Sequence, residues 1–182
     1  MHILHNSPRK QYIPWDLNLA QECFDANCGP ISFAVSVQEE VSDVIGLFEN
    51  YEEKKYTNFT DMKRVFKKYG VEIQTTKAQI PKSGVALIQW TGPWIENDFM
   101  GRRSSRYTHW IAVEDKMCFD LNADEWLTLK EWETTVAAEF IKEIPEATGW
   151  NVKYGIQLLK LRESWPMGFA RCKPDLRLSV VR

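Results

Sequence analysis

The apolar residues of this chain change their period near residue 84, and the change restricts the folds open to it. Val41, Val44, Ile45 and Phe48 recur at helical spacing, and Met62, Val65, Phe66 and Tyr69 repeat that pattern between a Thr60-Asp61 start and a Gly70 stop. Gly29-Pro30 opens another helix over about 29–37, because the missing N–H of proline costs nothing in a first turn. Beyond Gly84 the runs shorten. Val85-Ala86-Leu87-Ile88-Gln89-Trp90 lies between Gly84 and Gly92-Pro93, and His109-Trp110-Ile111-Ala112-Val113 reads the same way, so both predict buried strands. Met117, Phe119 and Leu121 alternate with Cys118, Asp120 and Asn122, the pattern of a strand with one apolar face. Thr128-Leu129-Lys130-Glu131 has the form of a capping box and opens a helix to about 143, and residues 152–161 suggest a last strand. Helices followed by antiparallel strands make an α+β order. We read one domain over 1–182, with a helical part at about 17–80, a sheet part at about 84–161 and a tail at 162–182.

Composition agrees with one packed domain. Of 182 residues, 44% are hydrophobic and 26% charged, unlike a disordered chain. A net charge of -2 argues against a nucleic-acid-binding surface. No run approaches the ~18 apolar residues of a membrane span, and Met1 to Lys10 lacks the apolar core of an export signal, so a cytoplasmic location is expected. The 4 Cys are then expected as free thiols, Cys23, Cys118 and Cys172 as small buried ones. With 3 His and no Cys-x-x-Cys pair, neither a metal site nor a cofactor is expected.

Cys28 immediately precedes Gly29-Pro30. A sulfur at a helix N-terminus meets the partial positive charge of unpaired amides, which favours the nucleophilic thiolate. Gly29 leaves room for a substrate carbonyl beside the backbone N–H groups, which would help to hold an oxyanion. The plainer alternative is that Cys28 is a small buried apolar residue. His109 bears on the choice, because it is the only His beyond residue 5 and opens an apolar strand. A nucleophilic cysteine needs a base held by a third group, and the next strand offers Asp120 and Asn122.

Antiparallel partners have a constant sum of residue numbers. A two-residue turn at Asp115-Lys116 pairs 114 with 117, a sum of 231, which sets His109 opposite Asn122 and diagonal to Asp120. A four-residue loop over 113–116 gives 229 and sets His109 opposite Asp120, whereas a three-residue loop gives 230 and turns both away. The triad therefore requires an even loop or a bulge.

Asn27-Cys28-Gly29-Pro30, two helices, a strand, His109-Trp110-Ile111-Ala112-Val113 and then Phe119-Asp120 together resemble the papain-like cysteine peptidase superfamily. The likeness is nearest to its bacterial branch related to double-glycine leader peptidases and spans residues 20 to 122. It implies a papain-like fold, a helical half against an antiparallel sheet half with the active site between them. It also implies cleavage of a peptide or isopeptide bond through a thioester, with Cys28 as nucleophile, His109 as base and Asp120 as orienting acid. The resemblance makes Gln21 the oxyanion residue, although Gln21 stands one place further upstream than the family pattern. Leu121 occupies a position where the family often has proline, which leaves Asn122 as an alternative orienting residue.

Trp94, after Gly92-Pro93, is the expected substrate contact, while Trp90 and Trp110 are expected in the core. The basic segment Gly101-Arg102-Arg103-Ser104-Ser105-Arg106 reads as a solvated loop or as a gate that attracts an acidic substrate segment. The expected partner is a peptide or protein substrate. Two other functions share these residues: an acyl transferase of transglutaminase type, and an inactive binding or inhibitory protein of the same fold.

Overall fold

Helix α2, Cys28–Val37, runs through the middle of the protein, with every residue from Gly29 to Val37 buried. Its local start is clear in the chain. Asn27 adopts extended backbone geometry, its side-chain oxygen accepts the Gly29 N–H at 3.2 Å, and Pro30 sits in the first turn. Gln38, with φ at 62°, ends it in the left-handed conformation. A helix apolar on nearly all sides must be covered on all sides. Its cover comes from α1 (Leu17–Phe24), α3 (Val41–Val44), α4 (Tyr51–Lys54), α5 (Phe59–Tyr69) and a sheet. This computed structural model describes residues 11–96 and 107–160.

The sheet contains β1 (Glu72–Lys77), β2 (Ser83–Thr91), β3 (Thr108–Glu114), β4 (Met117–Asp120), β5 (Glu125–Thr128) and β6 (Gly149–Lys160). Its spatial order is β1-β6-β2-β3-β4-β5, antiparallel throughout. α6 (Pro93–Glu96) follows β2. After β5 a helical stretch runs through α7 (Leu129–Trp132), a π turn (Glu133–Ala137) and α8 (Ala138–Glu143). Side chains alternate between two cores. Val85, Leu87, Trp110, Ala112 and Phe119 face the α2 side, whereas Ala86, Ile88, Trp90, Ile111, Val113 and Cys118 pack with Trp132 and Ala137 on the other. Burial on both faces explains why β2 and β3 read as continuous apolar runs.

The α+β order holds, with three corrections to the expected layout. The helical part does not extend to about 80: it stops at Gly70 (φ 84°), and residues 72–77 form edge strand β1. That strand is polar and exposed or half-exposed along its length, so it carries no strong apolar period. The helix expected through Val41–Phe48 breaks after Val44 into a 3₁₀ turn at Ile45–Leu47. The C-terminal part is also more than a sheet, since the stretch from α7 to α8 covers the face remote from α2. No helix among the described residues is long and apolar enough to cross a membrane. The basic segment 101–106, the tail 162–182 and Cys172 lie outside the described residues.

Candidate active site

The β3–β4 hairpin sets the geometry. Asp115 and Lys116, with φ at 45° and 73°, form a two-residue turn whose local twist suits paired strands. The register is Glu114↔Met117, Val113↔Cys118 and Ala112↔Phe119, the arrangement whose partners sum to 231. His109 and Asp120 consequently share a face on the diagonal, and His109 Nε2–H donates to Asp120 Oδ2 at 2.9 Å.

β4 ends at Asp120, while β3 starts further out at Thr108. On the side facing β4, the backbone of Trp110 therefore has no strand partner, and α2 takes that place. Ser32 Oγ–H donates to the Trp110 carbonyl at 3.1 Å, and the Trp110 N–H donates to Cys28 Sγ. Cys28 and Ser32 are one helical turn apart, so both bonds come from one face of α2. Docking a helix on a strand edge in this way brings the sulfur to the imidazole.

With Nε2 committed to Asp120, the Nδ1 edge of His109 faces Cys28 and hydrogen-bonds its sulfur. Burial alone would push the Cys28 thiol up, but the His109 charge, its hydrogen bond and the Trp110 N–H outweigh it and hold the thiol below its ordinary value. His109 shows the complementary balance. Burial favours the neutral ring, yet Cys28 and Asp120 together push its pKa up to about 10. Both shifts act in the direction that favours a thiolate–imidazolium pair.

Asp120 is fully buried and accepts four hydrogen bonds. Oδ1 takes the backbone and side-chain N–H groups of Asn122, each at 2.9 Å, and Oδ2 takes His109 and the Trp132 Nε1–H at 2.6 Å. Burial opposes ionisation here too, but His109 and these donors keep the carboxyl below its usual range. Asn122 thus holds Asp120, not His109. It lies past the end of β4, where its side chain turns back on its own strand.

Gly29 has a different role from the expected one. Thr57, not an open space for a carbonyl, lies beside it: a Cβ built there would fall 2.4 Å from Thr57 Oγ1 and 2.6 Å from Thr57 Cβ. Thr57 is buried, its carbonyl accepts the Trp110 Nε1–H at 2.8 Å, and its buried hydroxyl has no hydrogen-bond partner among the described residues. Gln21 lies half-exposed on α1. Trp94 is folded back, its Nε1–H on the Trp90 carbonyl at 3.1 Å and its ring 4.4 Å from Tyr107. Trp90 and Trp110 are both buried, and so is Cys118, whose thiol is pushed up to about 12 by burial and the Asp120 charge. Cys23 is exposed on α1, contrary to expectation, because it projects from the side of a helix that packs only through residues such as Leu17 and Ala20. Among the described residues, no group of three or more His, Cys, Asp and Glu side chains is placed to hold a metal ion.

Ser32, Thr57, Trp132 and Phe140 were not singled out by sequence. Ser32 had one available signal, its helical spacing from Cys28; the others depend on contacts between segments remote in the chain. Comparison with protein-family models, with curated proteins and with solved structures finds no match.

Proposed function

We propose that the protein is a cysteine-dependent hydrolase of papain-like fold that cleaves a peptide or isopeptide bond in the cytoplasm. The observation that carries this reading is the continuous chain from Cys28 Sγ through His109 to Asp120, ending in a buried carboxylate with all its donors in place. Such a chain supplies a nucleophile, a base and a group that fixes the ring.

In the proposed reaction the Cys28 thiolate attacks the substrate carbonyl carbon, and the carbonyl electrons move to oxygen. The Cys28 N–H, at the N-terminus of ten-residue α2, and the Gln21 side chain are the proposed oxyanion donors. The His109 imidazolium gives its Nδ1 proton to the leaving nitrogen as the C–N bond breaks, which leaves a thioester on Cys28. Water then attacks the thioester while His109 takes its proton. The C–S bond breaks, releasing the acid and restoring the thiolate–imidazolium pair.

The test is alkylation with iodoacetamide at pH 6 followed by peptide mass mapping. Exposed Cys23 serves as an internal reference for an ordinary accessible thiol, and buried Cys118 as a protected one. Cys28 is expected to label fastest, and its advantage over Cys23 to vanish in His109→Ala. Equal labelling of Cys28 and Cys23 in the wild type would overturn the reading.

A further inference from the structure

We propose that Trp132 is a positioning residue for the Cys28 site, and that the π turn after it exists to let one helical stretch hold Asp120 and cover His109 together. The inference rests on the proposed hydrolase chemistry and deepens it.

Two of the four donors on Asp120 are local, since both come from Asn122 two residues on. They act on Oδ1 and leave Oδ2 to be shared. The Trp132 Nε1–H is the donor that meets Oδ2 from outside the β3–β4 hairpin, and it does so at 2.6 Å from a fully buried indole. The ring itself is held in place. It stacks on Trp90 with centroids 6.2 Å apart and meets Trp150 edge-on at 5.1 Å, at an interplanar angle of 85°. An N–H on a ring locked in this way fixes the direction of the carboxylate plane, and with it the direction from which Oδ2 accepts His109.

The same stretch reaches His109 by another route. The Phe140 ring lies 5.3 Å from the imidazole and 4.8 Å from Trp90. Trp132 and Phe140 are eight positions apart. On an uninterrupted α-helix they would point roughly 80° apart at about 100° per residue. The π turn at Glu133–Ala137 lies between them and takes up one extra residue, so they stand as if seven steps apart, within roughly 20° of one face. Without the turn, either the indole would leave Asp120 or the phenyl would leave His109.

The surrounding sequence supports the irregular turn. Thr134 Oγ–H donates to the Lys130 and Glu131 carbonyls at 3.0 and 3.1 Å, and Thr135 Oγ–H donates to the Glu131 carbonyl at 2.7 Å. Just before Trp132, Thr128 and Glu131 form a reciprocal capping box that fixes where the helix begins. An irregular turn persists when its surroundings hold it, and such turns gather at functional sites.

The titratable groups that act on Asp120 are His109 on β3, Cys28 on α2 and Cys118 on β4. Removing a donor from the charged carboxylate makes it hold a proton at higher pH. Trp132→Phe keeps the ring and loses only the N–H. In that variant the acid limb of the Cys28 alkylation profile is expected to move to higher pH, and the rate at pH 6 to fall about tenfold, the factor for one hydrogen bond to a charged group. Trp132→His, which restores a ring N–H, should recover part of the rate. Trp150→Phe disturbs the same aromatic cluster without touching Asp120, so its acid limb should match the wild type.

An acid limb in Trp132→Phe that coincides with the wild type, or that moves equally in Trp150→Phe, overturns the inference while leaving the hydrolase reading intact. A wild-type Cys28 that labels no faster than Cys23 overturns both. Should Trp132→Phe fail to fold, wild-type protein with ¹⁵N-labelled tryptophan decides. The indole N–H that cross-relaxes with the His109 ring should shift at the same pH as the alkylation midpoint, and a resonance invariant with pH overturns the inference.

Discussion

Gly29→Ala tests how the nucleophile is placed. The new Cβ would lie 2.4 Å from Thr57 Oγ1 and 2.6 Å from Thr57 Cβ, against ordinary contact from 3.4 Å, so the two segments must separate by about 1 Å. Rotating Thr57 does not relieve this, because its Cβ is itself too close. Thr57 also cannot retreat freely, since its carbonyl holds the buried Trp110 indole. Either Thr57 moves and loosens Trp110, or the first turn of α2 moves and carries Cys28 with it. Overpacking of this kind costs about 1–3 kcal/mol, and the gain in helix propensity returns at most about 1 kcal/mol. With the full return the net loss is about 0–2 kcal/mol, a fall in Tm of up to roughly 8 °C for a chain of this size. Alkylation of Cys28 at pH 6 should fall about tenfold, as if the thiol had lost one pKa unit of stabilisation. Adding Thr57→Gly removes both offending atoms and should restore part of the alkylation rate. Circular-dichroism melts and timed alkylation read the two effects separately. A Gly29→Ala protein with wild-type melting and labelling would refute the close-approach argument. A double variant that labels no better than Gly29→Ala would show that Thr57 is not the obstacle.

Ser32→Ala removes the donor to the Trp110 carbonyl at a buried position. It should cost about 1–3 kcal/mol by leaving that carbonyl unpaired, and denaturant unfolding with an unchanged midpoint would contradict it. The alkylation profile of the wild type should show two steps. The first follows the lowered Cys28 value, and the second comes near pH 10 as His109 gives up its proton and frees a more basic thiolate; His109→Ala should show a single step above the ordinary thiol value, because burial and the Asp120 charge are then opposed only by the Trp110 N–H. Stability carries the matching signs. His109, raised from 6.5 to about 10, contributes fully below pH 6.5 and loses that contribution as pH rises through about 10, whereas lowered Asp120 contributes above its ordinary carboxyl value and loses it as pH falls. Lowered Cys28 gains stability with pH up to its ordinary value of 9.0 and offsets the His109 loss below it, so melting temperatures of the wild type should fall from about pH 9 to about pH 10; a Tm that stays flat to pH 11 would contradict the raised His109 value.

The helices and strands that the chain announced are those with a strong period and local stops. α2 and α5 carry Asn caps and defined ends, and β2 and β3 carry long apolar runs. β1 carries no apolar period because it is polar and only half covered, and β5 carries none because its four residues are too few to show an alternation. The π turn was missed because Glu133–Ala137 has no breaker residue in it, and its irregularity shows only through what Trp132 and Phe140 must both reach. At the site, parity allowed two registers that put His109 and Asp120 on one face. The Asp-Lys turn adopts the shorter loop, although neither residue is glycine or asparagine.

Sequence alone determined the α+β order and the helix start behind Cys28, and it reduced the meeting of His109 and Asp120 to the parity of one hairpin loop, because caps, periods and hairpin parity depend on residues close together in the chain. Only the tertiary structure decided that β4 would stop at Asp120, that α2 would occupy the strand edge at Trp110, and that Thr57 and Trp132 would close around the site. Those outcomes depend on how segments 12 to 78 residues apart divide the same buried volume and the same backbone donors, and a local pattern does not encode that division.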